Sequence, residues 1–191
     1  MLHRTSAIAL AAIAAVYLGI CALLYLSQRA FIYYPTTRHA DVPAFILHQQ
    51  DADVMVATNG VENNRAVLYF GGNAEDVSQA IAPLTRAFPG RAVYAMYYRS
   101  YGGSTGKPSE RALVADGKRL LAWVSDGRND VTVIGRSLGS GIAIQVAASA
   151  RIERLVLVTP YDSIAELAAR HFRIFPVTLL LRDRYESWRY A

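Results

Sequence analysis

Two rhythms of apolar and polar positions divide this chain. The first apolar run, residues 7–26 (AIALAAIAAVYLGICALLYL), carries no charge over twenty residues. A polar, proline-bounded connector follows at residues 36–43. Short apolar runs then appear at 44–47, 54–58, 66–70, 92–97, 131–134 and 155–158, each of strand length. Asn59-Gly60 punctuates the second as a turn. The runs AVLYF and LVLV are continuously apolar, as parallel strands covered on both faces tend to be. Helical spacing fills the gaps. Val77, Ile81, Leu84 and Phe88 share one helical face, with Pro83 inside the pattern and Pro89-Gly90 after it. Ser109 is placed to cap the next helix, with Glu110 in its first turn. Leu113, Leu120, Leu121 and Val124 should face inward, and Asp126-Gly127 should stop that helix. A further helix is expected over 139–150, and helical pieces broken at Pro176 over 164–188. Strands alternating with helices of this length predict an α/β fold with a mainly parallel sheet and flanking helices, its reactive face at the carboxyl ends of the strands.

Residues 7–26 are long enough to cross a hydrocarbon core of ~30 Å as a helix. A cleaved signal peptide is the alternative, but its apolar region is usually shorter and ends in a small-x-small site, which is not apparent here. Leu18-Gly19-Ile20-Cys21 approaches a lipoprotein box, but Ile20 is too large for its position. A buried soluble helix is the weaker reading, because a small core cannot cover twenty apolar residues on all faces. The expected organisation is a membrane anchor at 1–30, a stalk at 31–43 and an α/β domain at 44–191. Tyr25, Phe31, Tyr33 and Tyr34 suggest an aromatic belt where the anchor leaves the bilayer. The few flanking charges, Arg4 before and Arg29 and Arg38 after, do not fix which side the domain occupies.

The chain has 191 residues and a net charge of +5. Its Lys and Arg residues are scattered rather than gathered into a basic run, which argues for a solvated surface near anionic lipid and against nucleic acid. Cys21 is the only cysteine, so disulfides within the chain and cysteine-based metal sites are excluded.

One segment carries chemistry. The β-branched run at 131–134 leads into Gly135-Arg136-Ser137-Leu138-Gly139, and a small-residue helical stretch follows. Strand, G-x-S-x-G, helix is the context of a nucleophile elbow. The glycines allow strand and helix backbones to approach closely, and the N–H groups after Ser137 lie at a helix N-terminus, where a developing oxyanion is stabilised. A purely structural Gly-Ser turn is the bland alternative.

With that motif in place, the chain resembles the α/β-hydrolase fold family, and within it the membrane-anchored serine hydrolases of serine aminopeptidase or palmitoyl-thioesterase type. Three segments carry the resemblance, and it runs from the anchor to the end. VLYFGGNAEDVS (67–78) looks like the family's oxyanion loop, with Gly71 where histidine is common. YYRSYGGSTGKPSE (97–110) looks like the family signature N-Y-R-G-Y-G-x-S-x-G-x-P-S-E, with Tyr97 for Asn and Ser100 for Gly. GRSLGSG is the elbow itself. The resemblance implies Ser137 as nucleophile, with an oxyanion hole from the backbone N–H of Leu138 and one from the Gly72-Asn73 region. Serine rather than aspartate at the elbow implies an acyl-enzyme, hence an acyl ester or thioester substrate beside membrane lipid as partner, with no cofactor and no metal.

A triad also needs an acid and then a histidine after the serine. In the family these follow two strands beyond the one at 155–158. Here only Glu153, Asp162, Glu166, Asp183, Glu186 and His171 follow Ser137. Asp162 sits where a minority of these enzymes place the acid, although Tyr161-Asp162-Ser163 also reads as a helix N-cap. His171 reads first as a partly buried helix residue and second as a base; His3, His39 and His48 precede the core. Against the roughly 250-residue size of such domains, the sequence is expected to be short by roughly 70–100 residues. Residues 155–158 would then form an exposed sheet edge, the tail would lack a packing surface, and activity would be low. The rival reading is a non-catalytic, membrane-tethered α/β domain that binds an acyl ligand or a protein partner. A peptidase reading has less support, since no acidic cluster for a substrate amine stands out.

Overall fold

The continuous apolar runs become strands because each buries both of its faces at once. In the computed structural model, which describes residues 2–128 and 130–190 with side chains from Arg4 onward, six strands form one sheet in the order β1-β2-β4-β3-β5-β6. They are β1 (Ala44–His48), β2 (Asp53–Thr58), β3 (Arg65–Phe70), β4 (Ala92–Met96), β5 (Asp130–Arg136) and β6 (Arg154–Val158). The four strands β4, β3, β5 and β6 are parallel, while β1 and β2 add an antiparallel edge. This is the expected mainly parallel α/β architecture.

The helices are α1 (Leu2–Ile32), α2 (Ser78–Ala87), α3 (Glu110–Ser125), α4 (Leu138–Ala147), α5 (Ile164–His171) and α6 (Val177–Leu180), with a 3-10 turn at Ser187–Arg189. The helical spacing matches the burial. Leu113, Leu120, Leu121 and Val124 are buried on α3, and Ser109 caps it by accepting the Ala112 N–H at 3.2 Å. Val77 and Ile81 are buried under α2, which continues through Pro83 to Ala87. Chain order then fixes where a site can form. From β3 the chain passes through α2 to β4 on one side, and from β4 through α3 to β5 on the other. Phe70 pairs with both Met96 and Gly135, so the three strands end level with one another. That reversal creates a crevice at the carboxyl ends of β3 and β5.

At the ends of the domain one expectation holds and two do not. First, β6 is a sheet edge as expected, with Leu155 and Val158 exposed at 36% and 41%. Second, the tail does not lack a surface: α5 and α6, separated at Pro176, fold back on α1. Tyr185 is fully buried and its hydroxyl lies 2.9 Å from that of Tyr33. Tyr33 is therefore not part of an aromatic belt. It faces the domain, while Phe31 and Tyr34 stay exposed. Third, the residues expected as a stalk lie along the domain. The Tyr34 N–H donates to Asn73 Oδ1 at 3.0 Å, Thr36 Oγ1 to the Glu75 carbonyl at 3.1 Å, and the His39 N–H to Asp76 Oδ2 at 2.8 Å. Within α1, residues Arg4–Ile32 are long and apolar enough to cross a membrane, and an apolar helix so near an N-terminus also fits a signal sequence.

Candidate active site

Ser137 sits at the junction of β5 and α4 with φ 48° and ψ −117°, a left-handed backbone that costs a non-glycine residue strain. Two glycines make this turn possible. A Cβ on Gly135 would strike Ala143 and the Gly139 carbonyl, and one on Gly139 would strike the carbonyl oxygens of Phe70 and Gly71. Helix α4 thus lies directly against the end of β3. The turn is held by the Ser137 N–H donating to the Val158 carbonyl at 2.9 Å, and by Ser140 Oγ donating to the Ser137 carbonyl at 2.6 Å. Ser137 is exposed, whereas Leu138, the first residue of α4, is buried. The first N–H groups of a helix have no intrahelical acceptor and carry the positive end of its dipole. The Leu138 N–H therefore stands beside the serine as a donor for negative charge.

The loop after β3 supplies the opposite wall. Gly72 lies against the serine: a Cβ built on it would be 3.7 Å from Ser137 Cβ. The structure thus brings Ser137, Leu138 and Gly72 together. Asn73 follows on the same loop, but its side chain is not free. Its Oδ1 accepts the Tyr34 N–H, the Ala74 N–H and the Tyr101 hydroxyl, the last at 2.8 Å. Asn73 therefore clamps the loop through its side-chain carbonyl oxygen. Tyrosines brace the loop further. Tyr98 donates to the Gly71 carbonyl at 2.6 Å, and burial holds its hydroxyl well above the usual tyrosine range. Burial also pushes Tyr101 up to about 12. Both remain neutral donors at physiological pH.

Sequence reasoning missed Glu75. Its carboxylate accepts the Gly72 N–H at 2.6 Å, the Tyr69 hydroxyl at 2.7 Å and Arg136 Nη1 at 3.1 Å. Burial, and then this carboxylate, raise Tyr69, while the same carboxylate raises Arg136. The acidic pair Glu75-Asp76, shortly after Gly71-Gly72, was the available signal. Asp76 is the partner position: burial pushes its carboxyl up, but bonds from Tyr97, Ser78 and the backbone N–H of His39 and Ser78 prevail and hold it well below the usual range. Burial and Asp76 together push Tyr97 up to about 12. Beside this loop opens a cleft of about 700 Å³ bounded by Thr36, His39, Tyr69, Asn73, Glu75 and Arg136.

The candidate acids and bases stand elsewhere. Among the described residues no side chain hydrogen-bonds Ser137 Oγ. His171 is exposed rather than partly buried, and its Nδ1 lies 2.8 Å from the Leu167 carbonyl of its own helix. Asp162 is exposed, and its carbonyl accepts the Ser187 N–H. The expected N-cap of α5 is made by Ser163, which accepts the Glu166 N–H at 2.9 Å. His39 lies 3.5 Å from Asp76 on the cleft, and His48 is 2.7 Å from Asp53 on the far edge of the sheet. The side chain of His3 lies outside the described residues. Among those described, no cluster of three or more His, Cys, Asp or Glu side chains could hold a metal.

The remaining signature residues have structural work. Ser100 adopts φ 71°, which explains glycine at that position in the pattern it resembles. Arg99 is buried and forms two bonds to Asp116, at 2.8 and 2.9 Å, and two to Asp51.

No family model matches the chain. An uncharacterized protein of Mycobacterium tuberculosis (strain H37Rv) is 33% identical over 207 residues, which cover 97% of this chain and 73% of that protein. The lysophosphatidylserine lipase ABHD12 of Gallus gallus is 34% identical over 91 residues, covering 41% of this chain but 24% of that enzyme. Among solved structures, an alpha-beta serine hydrolase homologue from Coxiella burnetii superimposes with a TM-score of 0.55 at 20% identity. That match covers 64% of this chain and 65% of the Coxiella one.

Proposed function

Since this chain belongs to the α/β-hydrolase family, we propose that it is a membrane-anchored serine hydrolase that cleaves carboxylic esters or thioesters through an acyl-enzyme on Ser137. The observation that carries this reading is the strained Ser137 turn at the head of α4, packed against the Gly72 loop. Ser137 Oγ attacks the acyl carbon, and the carbonyl electrons move to oxygen. The Leu138 N–H faces that oxyanion. Gly72 already donates to Glu75, so the Asn73 N–H is the loop's contribution. The oxyanion collapses, the alcohol or thiol leaves with the proton that Ser137 gave up, and water then hydrolyses the acyl-enzyme, releasing the acid and restoring the serine hydroxyl. Residues 7–26 serve as the anchor, and the family relative that acts on a lysophospholipid makes lipid esters the first substrates to try.

Labelling by a fluorophosphonate tests the nucleophile. The wild-type chain should be labelled and Ser137→Ala should not; labelling that persists in the alanine variant removes Ser137 from the role. Hydrolysis of p-nitrophenyl esters and of lysophospholipids then reads turnover. The anchor is tested separately by carbonate extraction: the chain should stay in the membrane fraction, and a mature N-terminus near residue 30 would show a cleaved signal instead.

One observation favours a second reading. No imidazole or carboxylate reaches Ser137 among the described residues, and serine is a weak nucleophile at its free pKa. A chain that binds acyl ligands yet resists the fluorophosphonate would be a tethered binding domain.

A further inference from the structure

The tail runs alongside α1 in a fixed order of depth. Tyr17 Oη donates to the Ile174 carbonyl at 2.8 Å, and the Tyr17 and Phe175 rings stack 5.9 Å apart. Further along, Gln28 bonds the Leu180 carbonyl and accepts the Arg182 N–H. Arg182 reaches the Tyr25 hydroxyl at 2.6 Å and lies 4.3 Å over its ring. Arg29 then pairs with Asp183 at 2.8 Å, and Tyr33 meets Tyr185. Residues 174 to 185 thus climb α1 from its middle to its end.

We propose that the hairpin of α5 and α6 is a second membrane element, sunk into the same leaflet as the second half of α1 and surrounded by its acyl chains. The inference rests on the reading of α1 as a membrane span. If Leu26 marks the edge of the hydrocarbon, Tyr17 lies about 13 Å inside it at 1.5 Å per residue, close to the middle of a ~30 Å core. Ile174 and Phe175, which touch Tyr17, must share that depth. The polarity of the contacts follows the same order. Below the edge the contacts are the Tyr17–Phe175 stack and the single hydrogen bond from the Tyr17 hydroxyl to the Ile174 carbonyl. Arg182 on Tyr25 sits at the edge, where aromatic and cationic groups gather. The Arg29–Asp183 pair lies beyond it. The outward surface fits as well: Ile174 is 75% and Leu179 81% exposed to whatever surrounds the protein, with Phe172 and Phe31 also open. Water is a poor surrounding for such a patch, and acyl chains a good one. Between α1 and the hairpin lies a cavity of about 230 Å³ walled by Leu24, Phe31, Ile164, Phe172, Phe175 and Leu181, apolar enough to exclude water. Arg170, His171 and Arg173, all exposed near the deep end of the hairpin, oppose the placement. Arg170 pairs with Glu166 at 2.6 Å, and the arginine stems shorten the distance to the headgroups without spanning it, so the placement requires local thinning of the bilayer or a water defect there.

Depth-dependent quenching tests this in the full chain. In a Cys21→Ala background, single cysteines replace Ile174, Leu179, Val16 on α1, or Val61 on the far side of the domain. Each carries an environment-sensitive fluorophore in vesicles of phosphatidylcholine and phosphatidylglycerol. The Ile174 and Leu179 labels should lose most of their emission to nitroxide lipids, Ile174 more to a deep nitroxide and Leu179 more to a shallow one. The Val61 label should respond only to an aqueous quencher. Lipid quenching at Val16 with aqueous quenching at both tail sites would overturn the inference while leaving the anchor. Tail sites shielded from both quenchers would also overturn it, and would mean that protein, a further segment or a second copy, covers the hairpin. Aqueous quenching at Val16 would overturn the anchor and the inference together. Leu179 keeps the test readable if the Ile174 substitution disturbs the contact with Tyr17.

Discussion

Replacing Ser137 by glycine should stabilise the protein relative to replacing it by alanine. At φ 48° and ψ −117° the residue occupies a region that glycine enters freely and other residues do not. Strain of this kind costs about 1–3 kcal/mol. Alanine keeps the Cβ and so keeps the strain. Glycine removes it, but the unfolded chain gains freedom worth about 0.5–1 kcal/mol. Ser137 Oγ makes no hydrogen bond among the described residues, so neither variant loses one. The balance leaves Ser137→Gly about 0.5–2 kcal/mol more stable than Ser137→Ala. In a domain of this size that is an increase in Tm of about 1–8 °C. Thermal unfolding of both variants in one detergent, followed by near-ultraviolet circular dichroism, gives the comparison. Ala122→Gly, on the exposed face of α3, is the control: the same chemical change should there destabilise by about 1 kcal/mol. Neither Ser137 variant should react with a fluorophosphonate. If Ser137→Gly melts at or below Ser137→Ala, the elbow is not strained, and the structural case for a presented nucleophile fails with it.

Two further outcomes follow from charged groups. Asp116→Ala should cost about 3–5 kcal/mol in urea unfolding, because it strands the buried guanidinium of Arg99, while Asp51→Ala, whose carboxylate is 71% exposed, should cost far less; the reverse ranking would refute the assignment. Arg91 holds Glu153 down at about 2, and Asp76 too sits below the ordinary carboxylate range near ~4, so the stability both supply is complete above that range and drains away as pH falls toward ~2. The urea midpoint should therefore fall between pH of about 6 and about 3, and the fall should shrink in Glu153→Gln; a slope unchanged by that substitution would exclude the pair as its source.

The sheet and the elbow were legible because their signals are local. A β-branched run ending in G-x-S-x-G states strand, turn and helix within a dozen residues, and the helical spacing of Leu113, Leu120, Leu121 and Val124 matches their burial. What escaped was built from distant partners. Asp116 reads in sequence as one charge on an amphipathic helix, and only the fold sets it against Arg99. Residues 36–43 read as a spacer because they are polar and proline-bounded. Their role depends on the Thr36 hydroxyl meeting the Glu75 carbonyl and the His39 N–H meeting Asp76, with the Tyr34 N–H just before them meeting Asn73, and such single donors leave no trace in composition. The tail was expected to lack a packing surface because in the family that surface comes from strands beyond the one at 155–158. Tyr17 and Ile174, or Tyr33 and Tyr185, are about 150 positions apart and share no periodic signal. Glu75 was missed for a different reason. A carboxylate beside a site for developing negative charge looks unfavourable until Tyr69, Arg136 and the Gly72 N–H are seen to satisfy it.

These contacts tie α1 to the candidate site. Two routes connect its end to the two walls of the candidate oxyanion hole. One is the strap: Tyr34 reaches Asn73 and Thr36 reaches Glu75, so the chain leaving the helix holds the loop after β3. The other is the tail. Tyr33 and Arg29 hold Tyr185 and Asp183, and Asp183 Oδ1 accepts the Glu110 N–H at the start of α3. Glu110 in turn receives the N–H groups of Arg184 and Tyr185, and Tyr161 from the same region donates to the Leu138 carbonyl. The elbow is therefore positioned partly from the end of α1. A deletion that removes α1 but begins at Tyr33 keeps the strap and the tyrosine pair and loses Arg29. One that begins at Ala44 also strips Asn73 of the Tyr34 N–H and leaves the hydroxyl of Tyr185 without its partner in the core. The two should differ in how well Ser137 is presented, although neither retains the apolar helix. A loss of reactivity in the shorter form would then report a dismantled loop and not a missing membrane.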